Sequence, residues 1–256
     1  MRRQGFWLRG ISGLGMAFLY LPIIVLVLFS FNASRLSATW QGFSWHWYGV
    51  LRQDEALRAA TANSFLVAGW STAIVILLGI PAAMGLERLR ARSARMMEAT
   101  LLLPLVIPEV MMGVGLLLFF VTVQMPLSLT TVVIGHAAFN LPVAIAIVRA
   151  RLQKLDPRLE EAARDLGASP WQTFRHVTWP LLRPAIWGAA LLAFTISLDD
   201  FIVTFFVAGP GATTLPLKVY SMIKSGVSPE INALSSILVL VSMLLVWASV
   251  ALQRRS

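Results

Sequence analysis

The 256-residue chain has no cysteine, only 13% charged residues and only three histidines. The first absence removes disulfides, thiolate metal sites, iron–sulfur clusters and thiol nucleophiles, without specifying a compartment. The histidines, His46, His136 and His176, fall in separate segments with no ligand spacing, which argues against a metal centre. Neither a G-x-x-x-x-G-K-[ST] phosphate loop nor a G-x-S-x-G nucleophile elbow occurs, so neither ATP hydrolysis through that loop nor serine hydrolysis is expected. What remains is apolar. Hydrophobic residues make up 57% of the chain and the mean hydropathy is +0.75, values outside the range of soluble domains and inside that of polytopic membrane proteins.

Apolar runs near the roughly 20 residues that cross a bilayer lie at about 13–31, 63–86, 99–123, 130–148, 184–207 and 231–252. They predict an all-α membrane protein with six transmembrane helices and a single transmembrane domain over 1–256. The first run follows Arg2, Arg3 and Arg9 as a secretion signal would, but it is long for a signal and five more spans follow, so an uncleaved helix is expected. With alternate loops on alternate sides, 16 basic residues fall on the side of the termini. Only Arg35, Arg52, Arg58, Lys218 and Lys224 fall opposite. Short basic loops resist translocation, which places both termini in the cytoplasm. The net charge of +9 is then a topology signal and a basic face against anionic lipid; no basic stripe with interleaved aromatics points to nucleic acid.

Three carboxylates interrupt the spans: Glu109, Asp199 and Asp200, with no basic residue beside them in their own stretches. Each costs roughly 2.5 to 3.5 kcal/mol at a bilayer centre, so unpaired ones suggest a wet path for a cation. Pro104 and Pro108 should break the third span just before Glu109, close to the midplane, where transporters often place binding groups. The bland alternative is a packing kink with Glu109 bonded to a neighbour. Asp199 and Asp200 diverge by about 100° on a straight helix, so one can face a lumen while the other faces a helix. Ala189 and Ala193 project near Asp200, which gives it a structural alternative as an interhelical acceptor.

The segment 156–180 between the fourth and fifth spans is punctuated as two short helices. Asp156 and Pro157 suit a start, Gly167 a left-handed exit, and Ser169, Pro170 and Gln172 a second, capped start. Leu159, Ala162, Ala163 and Leu166 form one apolar face, fit for a partner's groove or for the bilayer surface. Glu161-Ala162-Ala163, with Gly167 six positions after Glu161 and Pro180 thirteen after Gly167, resembles the EAA loop of inner-membrane permease subunits of ABC importers. Trp179 departs from that pattern, which usually has Leu before the proline. The resemblance implies the type I, MetI-like permease architecture. It assigns Glu161, Ala162, Ala163 and Gly167 to a coupling helix seated in the cytoplasmic ATPase, which binds the ATP.

Further residues narrow the resemblance. Pro108-Glu109, Ser197-Leu198-Asp199-Asp200, Gly209-Pro210-Gly211, Leu215-Pro216-Leu217 and 227–234, together with Tyr20-Leu21-Pro22 and Ser30-Phe31-Asn32, are similar to spermidine and putrescine permease subunits over nearly the whole chain. The third-span position is commonly Asp in those relatives, so Glu109 lengthens the arm. The resemblance implies a related second permease subunit, two ATPase subunits and a periplasmic polyamine-binding protein. A polyamine also suits the residues themselves: carboxylates for ammonium groups, and Phe119, Phe120, Phe201, Phe205 and Phe206 as candidate walls, although packing or lipid contact explains such aromatics as well.

Outside the membrane, Trp40, Trp45, Trp47 and Tyr48 read as an interfacial belt, with the delivering protein as a second reading. The stretch from Leu215 to Ile223 reads as a short external helix, and the Asn32-Ala33-Ser34 sequon as chance. Two other classes fit part of the pattern. An ion-coupled carrier also wants midplane carboxylates but has no use for an EAA loop. An intramembrane aspartyl hydrolase wants a close aspartate pair, which adjacent residues do not easily make.

Overall fold

A computed structural model describes residues 2–34, 39–89, 91–226 and 228–253. Arg35, Val227 and the basic residues beyond 253 lie outside them. In order, the helices are α1 Arg2–Phe29, α2 His46–Gln53, α3 Glu55–Arg88, α4 Ala91–Val106, α5 Glu109–Thr122, α6 Leu129–Leu152 and α7 Arg158–Asp165. There follow α8 Pro170–Thr173, a π-helical turn Phe174–Thr178, α9 Trp179–Asp199, α10 Ile202–Val207, α11 Leu215–Lys224 and α12 Pro229–Gln253. Among the described residues the only extended pairing is an isolated bridge of Asn32 with Phe43. Helices satisfy their own backbone groups, which is what a segment facing hydrocarbon requires.

Among the described residues four helices are long and apolar enough to cross a membrane, within α1, α3, α6 and the continuous run Pro170–Asp199, and α4 with α5, bent by 102°, passes the same test only when the two are taken together. The sixth expected run falls on α12, where Pro229–Val241 is a shorter apolar helix. The expected helix over 184–207 needs correcting: α9 stops at Asp199 and α10 resumes at Ile202, so the aspartates end a helix instead of lying inside one. The expected external helix at 215–223 is present as α11.

The chain divides into two units, Met1–Leu57 with Val219–Ser256, and Arg58–Lys218. In the first, α12 packs on α1 and α2. The turn after α1 is tied by Asn32, whose buried side chain donates to the Thr39 carbonyl at 2.7 Å and accepts from the Gln41 N–H at 2.9 Å. Trp47 is buried and donates from Nε1 to the Asn32 carbonyl at 2.9 Å, so it is a structural anchor; Trp40 and Trp45 stay exposed as a belt would. A buried, bonded Asn32 leaves no glycan acceptor, in keeping with a chance sequon.

In the second unit α6 is the central helix: 56% of its span is buried, twice the share in α3. One core cluster joins Val75, Ala83 and Leu86 of α3 to Ala144, Ile145 and Val148 of α6 and to Leu182, Ile186, Ala189 and Ala193 of α9. Ala189 and Ala193 thus make the small-residue stripe that lets α9 approach closely. A second cluster sets Phe120 of α5 with Val132 of α6 and Val203 and Val207 of α10. Gly113 of α5 makes this packing possible: a Cβ there would stand 2.6 Å from the Phe206 ring. At the far end of α6, Arg149 joins three helices, bonding Glu87 of α3 and Glu98 of α4 at 2.6 Å each.

Candidate functional site

The first break lies between α4 and α5. A proline disfavours helical backbone at the residue before it and has no N–H of its own; α4 ends at Val106, Pro108 is extended at φ −55°, ψ 134°, and the chain turns through 102° before Glu109 opens α5. Glu109 is exposed in the first turn of α5, where the positive end of the helix dipole favours a carboxylate. The expected kink is therefore a sharp corner with the carboxylate at its apex.

The second break lies between α9 and α10. No proline or glycine causes it. The Asp200 backbone is extended at φ −67°, ψ 122°, and its carboxylate accepts the Thr204 N–H at 3.0 Å and the Thr204 hydroxyl at 3.2 Å, capping α10. His136 Nε2, from α6, stands 3.1 Å from the same Asp200 oxygen and 2.9 Å from Thr204 Oγ1. His136 Nδ1 meets Ser197 Oγ at 2.7 Å, and Ser71 of α3 donates to Ser197 at 3.0 Å. The whole cluster is buried, with Asp200 only 10% exposed, whereas Asp199 is open.

Of the three carboxylates, then, Glu109 and Asp199 are exposed at helix ends and Asp200 is enclosed. The divergence expected of the adjacent aspartates is realised by the break itself. The partner that sequence reasoning missed is His136. Its signal was a lone ionisable side chain in an apolar span, a kind of residue that seeks a partner on another helix. Among the aromatic candidates, Phe120 and Phe206 belong to the core, while Phe119 and Phe205 are exposed.

In the segment 156–180 the starts and the exit fall where the punctuation predicts, but the second helix is not a separate short one: from Pro170 the chain runs on through the π turn into α9 as far as Asp199. Asp156 accepts the Arg158 N–H at 3.0 Å and so caps the start of α7. Gly167 takes φ +87°, and the Gly167 and Ala168 N–H groups return to the carbonyls of Arg164 and Ala163, the paired bonds of a Schellman exit. Ser169 and Gln172 then form a complete capping box at α8. No residue of α7 is buried; Glu161 and Ala162 are open, and the apolar side chains Leu159, Leu166 and Trp171 are exposed as well. Beside α7 lies a cavity of 290 Å³ lined by Met84, Leu152, Leu155, Leu159 and Leu181 together with Glu160.

A further loop is fixed to α3. Asn63 donates to the carbonyls of Gly211 and Thr213 at 3.2 and 2.9 Å, and Ser64 accepts the Leu215 N–H at 2.8 Å. Gly209 sits where a side chain would collide with the Leu127 carbonyl. Among the described residues, no group of three potential metal ligands occurs.

Comparison with known proteins identifies the family. The sequence profile of the family described as binding-protein-dependent transport system inner membrane component matches residues 75–256. The spermidine/putrescine transport system permease protein PotC of Escherichia coli (strain K12) is 40% identical over 238 residues, covering 93% of this chain and 90% of its own. The putrescine transport system permease protein PotI of the same strain is 41% identical over 232 residues, covering 88% and 83%. Among solved structures, a bacterial ABC transporter involved in the import of the acidic polysaccharide alginate superposes with a TM-score of 0.74 at 18% identity, over 99% of this chain and 96% of that one. The MetNI methionine ABC transporter superposes with a TM-score of 0.64 at 21% identity, over 77% and 93%. These structural likenesses show the fold, the MetI-like permease fold. The chain belongs to the family of inner-membrane components of binding-protein-dependent transport systems.

Proposed function

We propose that the chain is a permease subunit of an ATP-driven importer that carries polyamines, spermidine or putrescine, from the periplasm into the cytoplasm. Six helices span the membrane with both termini cytoplasmic, the sixth being α12. The observation that carries the cargo assignment is the pair of open carboxylates at helix breaks, Glu109 at the α4–α5 corner and Asp199 at the end of α9. Irregular backbone at membrane depth persists where it is enclosed by protein or lines a cavity, and an acidic side chain there suits a cation. Glu109 and Asp199 meet the ammonium groups, and Asp200 adds a fixed negative charge behind Asp199. The permease names of the relatives similar over most of the chain support the same cargo.

The open face of α7 docks on the ATPase. Glu161, Ala162 and Ala163 present that face and Gly167 sets its exit, so nucleotide-driven movement of the partner is delivered to this segment. A related second permease, two ATP-binding subunits and a periplasmic polyamine-binding protein complete the assembly. The test is uptake of labelled spermidine and putrescine into vesicles holding the assembled complex. Import that requires ATP and the binding protein is expected; import that follows a proton gradient and ignores ATP would contradict the assignment.

A further inference from the structure

His136 touches both sides of the α9–α10 break. On the α9 side Ser197 lies 2.7 Å from Nδ1, and on the α10 side Asp200 and Thr204 lie 3.1 and 2.9 Å from Nε2. The donors run in one consistent direction through this buried cluster. The Ser71 hydroxyl lies 3.0 Å from Ser197 Oγ and 3.2 Å from the Ala68 carbonyl; with its one proton on the shorter contact, the Ser197 hydroxyl is free to donate to Nδ1. That leaves the imidazole proton on Nε2, facing the Asp200 carboxylate, which the Thr204 N–H and hydroxyl also approach. With this tautomer every donor in the chain finds an acceptor, and the carboxylate is held by three donors from two helices.

The consequence concerns the neighbouring residue. Asp199 is the last residue of α9, and the direction of its side chain depends on where α9 stops. The helix stops where it does because Asp200 is turned inward to cap α10, and Asp200 is turned inward toward a donor on α6. We propose that His136 is a positioning residue for the cargo site: it locks Asp200 into the cap of α10 and thereby holds Asp199 on the open side of the break. One carboxylate of the adjacent pair fastens the helix and the other receives the ammonium group. This rests on the reading of Asp199 as a cargo contact, but the lock itself does not.

The experiment exploits the absence of cysteine from the chain. Asp199→Cys gives a single thiol at the break, and its rate of reaction with a membrane-impermeant cationic methanethiosulfonate, read by the mass of this chain in the assembled complex, reports its exposure without any transport. In the His136→Ala background this rate should change by about fivefold or more, the effect of about 1 kcal/mol in the local equilibrium. In the His136→Gln background, where an amide N–H reaches the Nε2 position, it should stay within about twofold of the parent, because the donor to Asp200 is kept. In parallel, with Asp199 intact, His136→Ala should lower polyamine uptake by about tenfold while His136→Gln retains about a third of it or more, at equal yield of complex. Unchanged thiol reactivity in the His136→Ala background, or a Gln variant no better than Ala in either measurement, overturns the lock. A complex whose thiol responds as described but which, with Asp199→Cys alone, imports polyamine at the parental rate upholds the lock and overturns only the cargo reading.

Discussion

Thr178 donates a hydrogen bond of 2.6 Å to Glu160, joining the π-helical turn that leads into α9 to the first turn of α7. The two residues stand on either side of the Gly167 turn, so the bond ties the proposed docking helix to the helix that ends at Asp199. Pro180 explains the local geometry: without an N–H it cannot close the ordinary helical bond to His176, and the chain widens into a π turn just before it. Thr178 is almost fully buried, and a hydrogen bond to a charged group is worth about 1.5 to 3 kcal/mol. Thr178→Val should therefore lower the number of polyamines carried per ATP hydrolysed several-fold, with basal ATP hydrolysis and the helical spans retained. The ratio of uptake to phosphate release in one vesicle preparation measures it.

Gly167 occupies φ +87° with nothing near the place a Cβ would take, so backbone conformation alone restricts the position. A β-branched residue there costs roughly 1 to 2 kcal/mol and unsettles the exit of α7. Gly167→Val should uncouple ATP hydrolysis from transport, and Gly167→Asn, which tolerates the left-handed region, should keep more of the coupling. Thermal unfolding should move little in either variant, since the turn lies outside the helical core.

Much of the fold was legible along the chain because its punctuation is local. Pro108, Gly167 and the Ser169–Gln172 pair act through backbone groups within a few residues, and each produced the break, exit or cap that its chemistry dictates. The end of α9 was not legible, because no proline or glycine marks it. Asp200 makes that break with a cap and with His136 of α6, a pairing that only the packed helices bring together. The tryptophans show the same limit: composition puts Trp45 and Trp47 in one belt, yet the bond from Trp47 to the Asn32 carbonyl makes only one of them structural.

Arg149 holds Glu87 and Glu98 together, and its side chain is only 14% exposed. Arg149→Ala leaves two carboxylates facing each other without the guanidinium. Because both acids are partly solvated, the loss should be moderate, about 1 to 3 kcal/mol. Arg149→Lys should recover only part of it, since one ammonium cannot reproduce the two-sided fork. The temperature of unfolding of the complex in detergent, compared across the three proteins, checks the order.

Packing between α5 and α10 sets a further expectation. A methyl group at position 113 would press on Phe206 near the root of its ring, where the side chain cannot swing aside. Gly113→Ala should destabilise the α5–α10 contact by about 1 to 3 kcal/mol, and Gly113→Leu should prevent it from forming. Protease sensitivity of the α4–α5 corner in the assembled complex reads this out.

The central claim is that open carboxylates at two helix breaks receive a polyamine. The most direct test is uptake of labelled spermidine and putrescine by the complete complex in vesicles, with Glu109→Gln and Asp199→Asn beside the parent at equal assembly. The account predicts ATP-dependent import by the parent and a fall of about tenfold or more in each variant, as expected when a buried or partly buried charge loses its counter-charge. Import at the parental rate in both variants would contradict it.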